Sequence, residues 1–257
     1  MHRLPRIMVA PNGARLTKAD HPTLPVTIEE TVAAALAARA AGADGLHAHV
    51  RDAKGAHVLD AGLYRELLEE MATQAPGFYV QITTEAVGRY TPSEQRALIE
   101  TVVPPAASIG LREIDEEPDR AITRRFFAFC AEAGVHVQHI LYDQTDIERL
   151  AARRADGTIP AGPLAAILVL GRYTTGQVSD PADVAPFAAA LKAVEPDVDW
   201  SLCAFGPTET LCLVEASRQG GKMRVGFENN RVNANGIIAV DNSERVRDLC
   251  AALERAI

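Results

Sequence analysis

The chain has 257 residues, of which 47% are hydrophobic and 23% charged, the composition of a globular protein able to bury a large core. Its 26 Lys and Arg stand against 34 Asp and Glu, a formal net charge of -8 with neither sign gathered into a long block, so the basic stripe of a nucleic-acid binder is missing. The longest apolar runs, such as 164–170, end far short of the roughly 18 residues a membrane helix needs, and the run at 7–10 is too short for a signal peptide.

Short β-type runs alternate with Ala- and Leu-rich amphipathic segments along the whole chain. A first strand is expected over 7–10, leading into the turn formers Pro11-Asn12-Gly13. Thr27 and Glu30 have capping-box spacing, which predicts a helix from there to about 41, stopped by Gly42. A strand over 45–50, a helix over 63–74 and a strand over 78–83 follow. Thr91-Pro92-Ser93-Glu94 caps the next helix, with proline in its first turn. A short strand at 107–110, a helix at 118–133, a strand at 136–142 and a helix at 146–155 come next. The run 165–170 is apolar throughout, as befits a strand covered on both faces. A helix over 181–194, strands over 199–204 and 222–227, and helices over 208–219 and 243–256 complete the pattern.

Eight βα units of roughly 30 residues predict an α/β protein with the (β/α)8 TIM-barrel architecture, as a single domain over 1–257. A doubly wound open sheet fits less well, because no G-x-G-x-x-G follows the first strand. Cys130, Cys203, Cys212 and Cys250 are scattered without a C-x-x-C pair, so a reduced, cytoplasmic protein is expected.

His47-Ala48-His49 is the most informative triplet. Residues i and i+2 of a strand share a face, so both imidazoles project together, at the strand end that faces the catalytic mouth of a barrel. Two imidazoles begin a Zn²⁺ site, which also needs a third ligand and an open position. The plainer alternative is one histidine facing the barrel interior as a hydrogen-bonded polar residue. Glu228 follows the eighth strand, and inward side chains of even-numbered strands share layers, so it can meet the histidines. Arg224 keeps the same parity; it either meets an anion in the site or serves as a structural partner of Glu228 or Asp52.

Asn12-Gly13-Ala14, Thr17-Lys18, His21-Pro22, Leu24-Pro25-Val26-Thr27, Glu29-Glu30, Ala41-Gly42-Ala43, His47 to Asp52, Val169-Leu170-Gly171 and Val225 to Asn229, in that order, resemble the beta-keto acid cleavage enzymes. The resemblance spans nearly the whole chain. It implies a TIM-barrel enzyme with a divalent metal, usually Zn²⁺, that converts a 3-keto acid and acetyl-CoA into acetoacetate and a new acyl-CoA, and that assembles as a homotetramer. By the same resemblance, the metal ligands match His47, His49 and Glu228, and a catalytic arginine matches Arg224. A small hydroxyl residue after the third strand matches Thr83, and a substrate-holding threonine matches Ser108.

The chain departs from that pattern at three places. Asn229 stands where the family has an aspartate that helps remove a proton, and an amide cannot accept one. Arg15 stands where the aminohexanoate-cleaving members carry a glutamate, a reversal that disfavours a cationic substrate tail. Thr84-Glu85 replaces a Thr-Gly-Gly turn with one residue fewer, which puts Glu85 at the mouth. Arg15 is then expected either to meet the distal carboxylate of a 3-keto diacid or to be neutralised by Glu85; both are otherwise solvated loop charges.

The remaining candidates are weaker. His136 and His139 are three apart on one strand and face opposite sides. His21 and His57 fall in loops, where histidines are usually solvated, and Lys18 and Arg172 are candidates to attract CoA phosphates. A metal hydrolase of the amidohydrolase type also carries H-x-H, but on its first strand and with a carboxylated lysine that has no obvious counterpart here. A homologue that binds metal and ligand without cleavage is the third reading.

Overall fold

Each strand is a short, largely apolar run followed by a helix, so neighbouring strands are parallel and every crossover is helical. The computed structural model describes residues 3–256. Its strands are β1 (Ile7–Val9), β2 (Gly45–Ala48), β3 (Tyr79–Thr83), β4 (Ala106–Gly110), β5 (His136–Leu141), β6 (Ala165–Leu170), β7 (Asp199–Ala204) and β8 (Lys222–Val225). They pair in chain order, and β8 closes on β1 through the register Met8 to Arg224, giving a closed barrel. Around it lie α1 (Ile28–Ala40), α2 (Ala61–Gln74), α3 (Pro92–Val102), α4 (Leu111–Ile114), α5 (Arg120–Glu132), α6 (Gln144–Ala155), α7 (Val184–Val194), α8 (Glu209–Arg218) and α9 (Asn242–Arg255). This is the (β/α)8 TIM barrel that the alternation predicts.

Helix starts follow local chemistry. Thr27 and Thr91 each close a complete capping box with Glu30 and Glu94, and Asp60, Asp119, Asp143 and Asp241 cap α2, α5, α6 and α9 with their side chains. The main core fills the layer between barrel and helices, with Leu46, Ile82, Leu168 and Leu202 of the strands packed beside Leu67 and Val246 of the helices. The run Ala165–Leu170 is buried at every position, as its apolar sequence requires.

β2 and β8 each end two residues earlier than the pattern predicts, and both ends form the site. β2 stops at Ala48 because the Asn12 side chain, not a neighbouring strand, accepts from the His49 N–H at 3.3 Å. β8 stops at Val225 because Gly226 turns the chain at φ 145°; a Cβ there would lie 2.4 Å from the Ala10 carbonyl oxygen. Two short elements go beyond the predicted pattern. They are α4 and the 3-10 turn Pro181–Asp183 that precedes α7. The loops after β2 and β8 also fold back on themselves, pairing Arg51 with His57 and Val232 with Ile238.

Candidate active site

A cavity of about 240 Å³ opens at the C-terminal mouth of the barrel. Four arginines (15, 172, 224 and 231) line it against two glutamates (85 and 228), so a chain of net charge -8 has its mouth formally positive. That field favours anionic ligands, because a concave site with low-dielectric walls concentrates it.

At the floor, His47, His49 and Glu228 converge. His47 Nε2 lies 3.3 Å from His49 Nε2, and Glu228 Oε2 lies 3.5 Å from each. A tetrahedral zinc site with bonds of about 2.1 Å has edges of about 3.4 Å, so the three atoms sit at three vertices of such a site. Glu228 Oε2 is buried without a hydrogen-bond partner, which is costly unless a cation meets it. The donor set and the orphaned oxygen both fit a divalent metal.

Hydrogen bonds further out decide which nitrogen of each histidine faces that point. Gln138 Nε2 donates to the Ala166 carbonyl at 3.2 Å and to Ser201 Oγ at 2.9 Å, so its Oε1 is the acceptor for Gln81 Nε2 at 3.0 Å. Gln81 Oε1 must then accept from His47 Nδ1–H, at 2.9 Å, which leaves the lone pair of His47 on Nε2. Likewise His57 Nε2 donates to the Glu85 carbonyl at 3.0 Å, so His57 Nδ1 accepts from His49 Nδ1–H at 3.4 Å. Both histidines therefore present Nε2 lone pairs to the same point. Side chains of β2, β3, β5 and β7 meet in the first of these relays, which places it inside the barrel.

Protonation agrees with this arrangement. Burial, reinforced by Arg224, pushes His47 down to about 4, and burial pushes His49 down to about 3 and His57 to about 4. All three are neutral at pH 7. Burial acts to raise Glu228, but Arg224, His47 and His49 hold its carboxyl well below the usual range, so it is an anion.

Glu228 reaches the histidines through a turn and not through strand parity, since β8 has already ended at Val225. Arg224 Nη2 donates to Glu228 Oε1 at 2.9 Å and to Cys203 Sγ at 3.1 Å, which orients the carboxylate. Gly13, at φ 58°, lies against Glu228; a Cβ there would sit 2.6 Å from Glu228 Cγ. Arg51, buried, donates to the carbonyls of Asn12, Gly13 and Leu16 and so fixes the β1–α1 loop over the site.

The other candidates fall as follows. Arg15 Nη1 donates to Glu85 Oε1 at 2.9 Å, the contact that the second of the two expectations describes. Glu85 Oε2 lies 3.9 Å from His49 Nε2. Burial and the charge of Glu228 push Glu85 up to about 7, against the pull of Arg15. Thr83 lines the cavity and its hydroxyl accepts from the Glu85 N–H at 3.1 Å. Ser108, its register partner on β4, is fully buried with an unpartnered hydroxyl and lies outside the lining. Asn229 lines the cavity with both amide atoms buried and unpartnered.

The loop histidines correct the expectation of solvation. His21 is buried, bonded at Nε2 to the Ala239 carbonyl at 2.9 Å, and His57 is buried beside His49. Lys18 pairs with Glu30 at 2.7 Å, away from the lining, whereas Arg172 lies inside it. His139 packs on Phe127, and His136 meets the Tyr79 hydroxyl. Sequence reasoning missed Gln81, Gln138, Arg51 and the role of His57. The available signal was a pair of glutamines, Gln81 and Gln138, in the middle of predicted barrel strands.

A sequence model of the beta-keto acid cleavage enzymes matches residues 6–257. The chain belongs to that family. Among its relatives, the 3-keto-5-aminohexanoate cleavage enzyme of Fusobacterium nucleatum is 28% identical over 240 residues, covering 91% of this chain and 85% of that one. The 3-oxoadipate:acetyl-CoA acetyltransferase of Cupriavidus necator is 26% identical over 257 residues, covering 96% and 88%. The structure of ObcA in binary complex with oxaloacetate aligns at a TM-score of 0.70 and 17% identity over 91% of this chain. The chain spans 64% of that protein's length, and the likeness supports the fold alone. Among the described residues, no helix of this family member is long and apolar enough to cross a membrane.

Proposed function

We propose that this protein converts a 3-keto acid and acetyl-CoA into acetoacetate and a new acyl-CoA, using a divalent metal, Zn²⁺, held by His47, His49 and Glu228. The observation that carries the reading is the triangle of His47 Nε2, His49 Nε2 and Glu228 Oε2, with zinc-like edges of 3.3, 3.5 and 3.5 Å, at the mouth of a family member's barrel. A cation held by His47, His49 and Glu228 would supply positive charge that lowers the cost of removing the proton between a keto and a carboxylate group.

The chain's own groups do the rest. Arg224 holds Glu228 and carries a buried Nε without a partner, and Asn229 has an unpartnered amide in the same cavity. Both are donors free to bind substrate oxygens as charge develops on them. Asn229 binds in this reading and does not take the proton. Thr83 completes the substrate side at the end of β3, and Ser108, its register partner on β4, backs it from outside the lining. No lysine lies in the described cavity lining, which disfavours an amidohydrolase-type centre.

A homotetramer and a reduced cytoplasmic setting belong to the same reading. Exposed Ile237, Ile238 and Val240 support a subunit contact, and four free cysteines support the setting. Light scattering tests the assembly. The reaction is tested by loading the purified protein with Zn²⁺, adding acetyl-CoA with 3-keto mono- and diacids, and following acetoacetate and acyl-CoA masses. Formation of both products is expected. Bound metal without either product refutes the reading in favour of a non-cleaving homologue.

A further inference from the structure

The cavity mouth places two guanidinium groups beside one carboxylate, and only one of them is hydrogen-bonded to it. Arg15, 52% exposed at its side chain, donates to Glu85 Oε1 at 2.9 Å. Arg172 Nη2 stops 3.9 Å from the same oxygen, beyond hydrogen-bond reach, although its side chain is only 11% exposed. Among the described residues the Arg172 guanidinium donates no hydrogen bond. It rests instead on two rings, 5.6 Å from the Tyr173 centroid and 5.3 Å from that of Phe205. Its five N–H donors face the cavity, where an anion can take the place of water as their acceptor.

The backbone holds Arg172 there in advance. Thr174 Oγ1 donates within the β6–α7 loop and accepts from the Val178 N–H at 2.9 Å, and Gln177 Nε2 donates to the Arg172 carbonyl at 3.3 Å. Ser179 Oγ donates to the Phe205 carbonyl at 2.8 Å, which pins the loop to the end of β7. The guanidinium is preorganised, so little further ordering is needed when a ligand meets it.

Position identifies the ligand. Glu85 lies 3.9 Å from His49 Nε2 on one side and 3.9 Å from Arg172 on the other, so a few carbon atoms span from the His–Glu triangle to Arg172. The phosphates of CoA stand off from its thioester by the long pantetheine arm and do not suit that short span. Arg15 retains Glu85, which leaves the fork of Arg172 for an incoming carboxylate in bidentate geometry. We propose that Arg172, and not Arg15, selects 3-keto acids that carry a second, distal carboxylate. The proposal rests on the reading of the site given above.

The test compares wild type, Arg172→Gln and Arg15→Gln, each loaded with Zn²⁺ and checked for an unchanged melting transition. Calorimetry measures binding of adipate against hexanoate, and steady-state kinetics measure kcat/KM for a six-carbon 3-keto diacid against the matching monoacid. Wild type favours the diacid in both. Arg172→Gln lowers the diacid-to-monoacid ratio about 10- to 100-fold, as expected for a lost charged hydrogen-bond pair, and Arg15→Gln lowers it less than about threefold. Arg172→Lys, which keeps the charge and loses the fork, shows a smaller loss and serves should the glutamine variant not fold. An unchanged ratio in the Arg172 variants, a loss confined to Arg15→Gln, or equal wild-type affinity for adipate and hexanoate overturns the proposal. If no acetoacetate forms but the binding ratios behave as stated, the reaction assigned above fails while the role of Arg172 stands.

Discussion

Replacing His57 with phenylalanine removes one hydrogen-bond acceptor and keeps a ring of similar size beside His49. His49 Nδ1–H then loses its partner at 3.4 Å while remaining buried. An unsatisfied buried donor costs about 1–3 kcal/mol, and the loss falls on the tautomer that presents Nε2 to the proposed metal position. Outer partners of metal-bound histidines typically contribute about 10- to 100-fold in metal affinity, or about 1.4–2.8 kcal/mol, so two independent estimates agree. Zn²⁺ affinity, measured by competition with a chromophoric chelator, should therefore fall about 10- to 100-fold in His57→Phe. His139→Phe is the matched control, since His139 is equally buried but packs on Phe127 away from the triangle. Affinity within about twofold of wild type in His57→Phe would refute the tautomer argument.

Gly13→Ala should weaken Zn²⁺ at least about tenfold, because the new Cβ falls 2.6 Å from Glu228 Cγ at a φ of 58° that also disfavours alanine; chelator competition checks it. Arg245 donates to Glu209 at 2.7 Å with both side chains at 0% exposure, and Glu209 accepts from the Gly226 N–H at 3.3 Å. Arg245→Met should cost about 3–5 kcal/mol in urea unfolding by stranding that carboxylate. Adding Glu209→Gln, whose amide still accepts from Gly226, should restore at least half. His139 is pushed by burial from 6.5 down to about 4, so the unfolded chain binds the extra proton between those values. Its contribution is complete above pH 6.5 and is lost as pH falls toward 4, about 3 kcal/mol in all. Urea midpoints of His139→Phe should decline less steeply than wild type over that range, and parallel declines would remove His139 from the account.

Much of the scaffold is written locally. Capping boxes at Thr27 and Thr91, aspartates before other helices and the apolar run Ala165–Leu170 declare their elements within a few residues, because capping and burial patterns are short-range. The His47–His49 spacing is equally local, since period two on a strand needs no tertiary information. What the sequence could not decide is how distant side chains meet. Glu228 arrives by a turn after Gly226, and Gln81 and Gln138, 57 positions apart, become hydrogen-bond partners only once the barrel has closed. His57 and Arg15 belong to loops whose burial and pairing follow from the neighbours, His49 and Glu85, that β2 and β3 bring to the mouth. A loop residue is classed as solvated or buried by what packs over it, and a titratable group by the charges within a few ångströms. Local sequence determined the barrel and the histidine pair, because strand and helix patterns are short-range, while tertiary structure chose the tautomers, paired Arg15 with Glu85 and left Arg172 beyond hydrogen-bond reach of it.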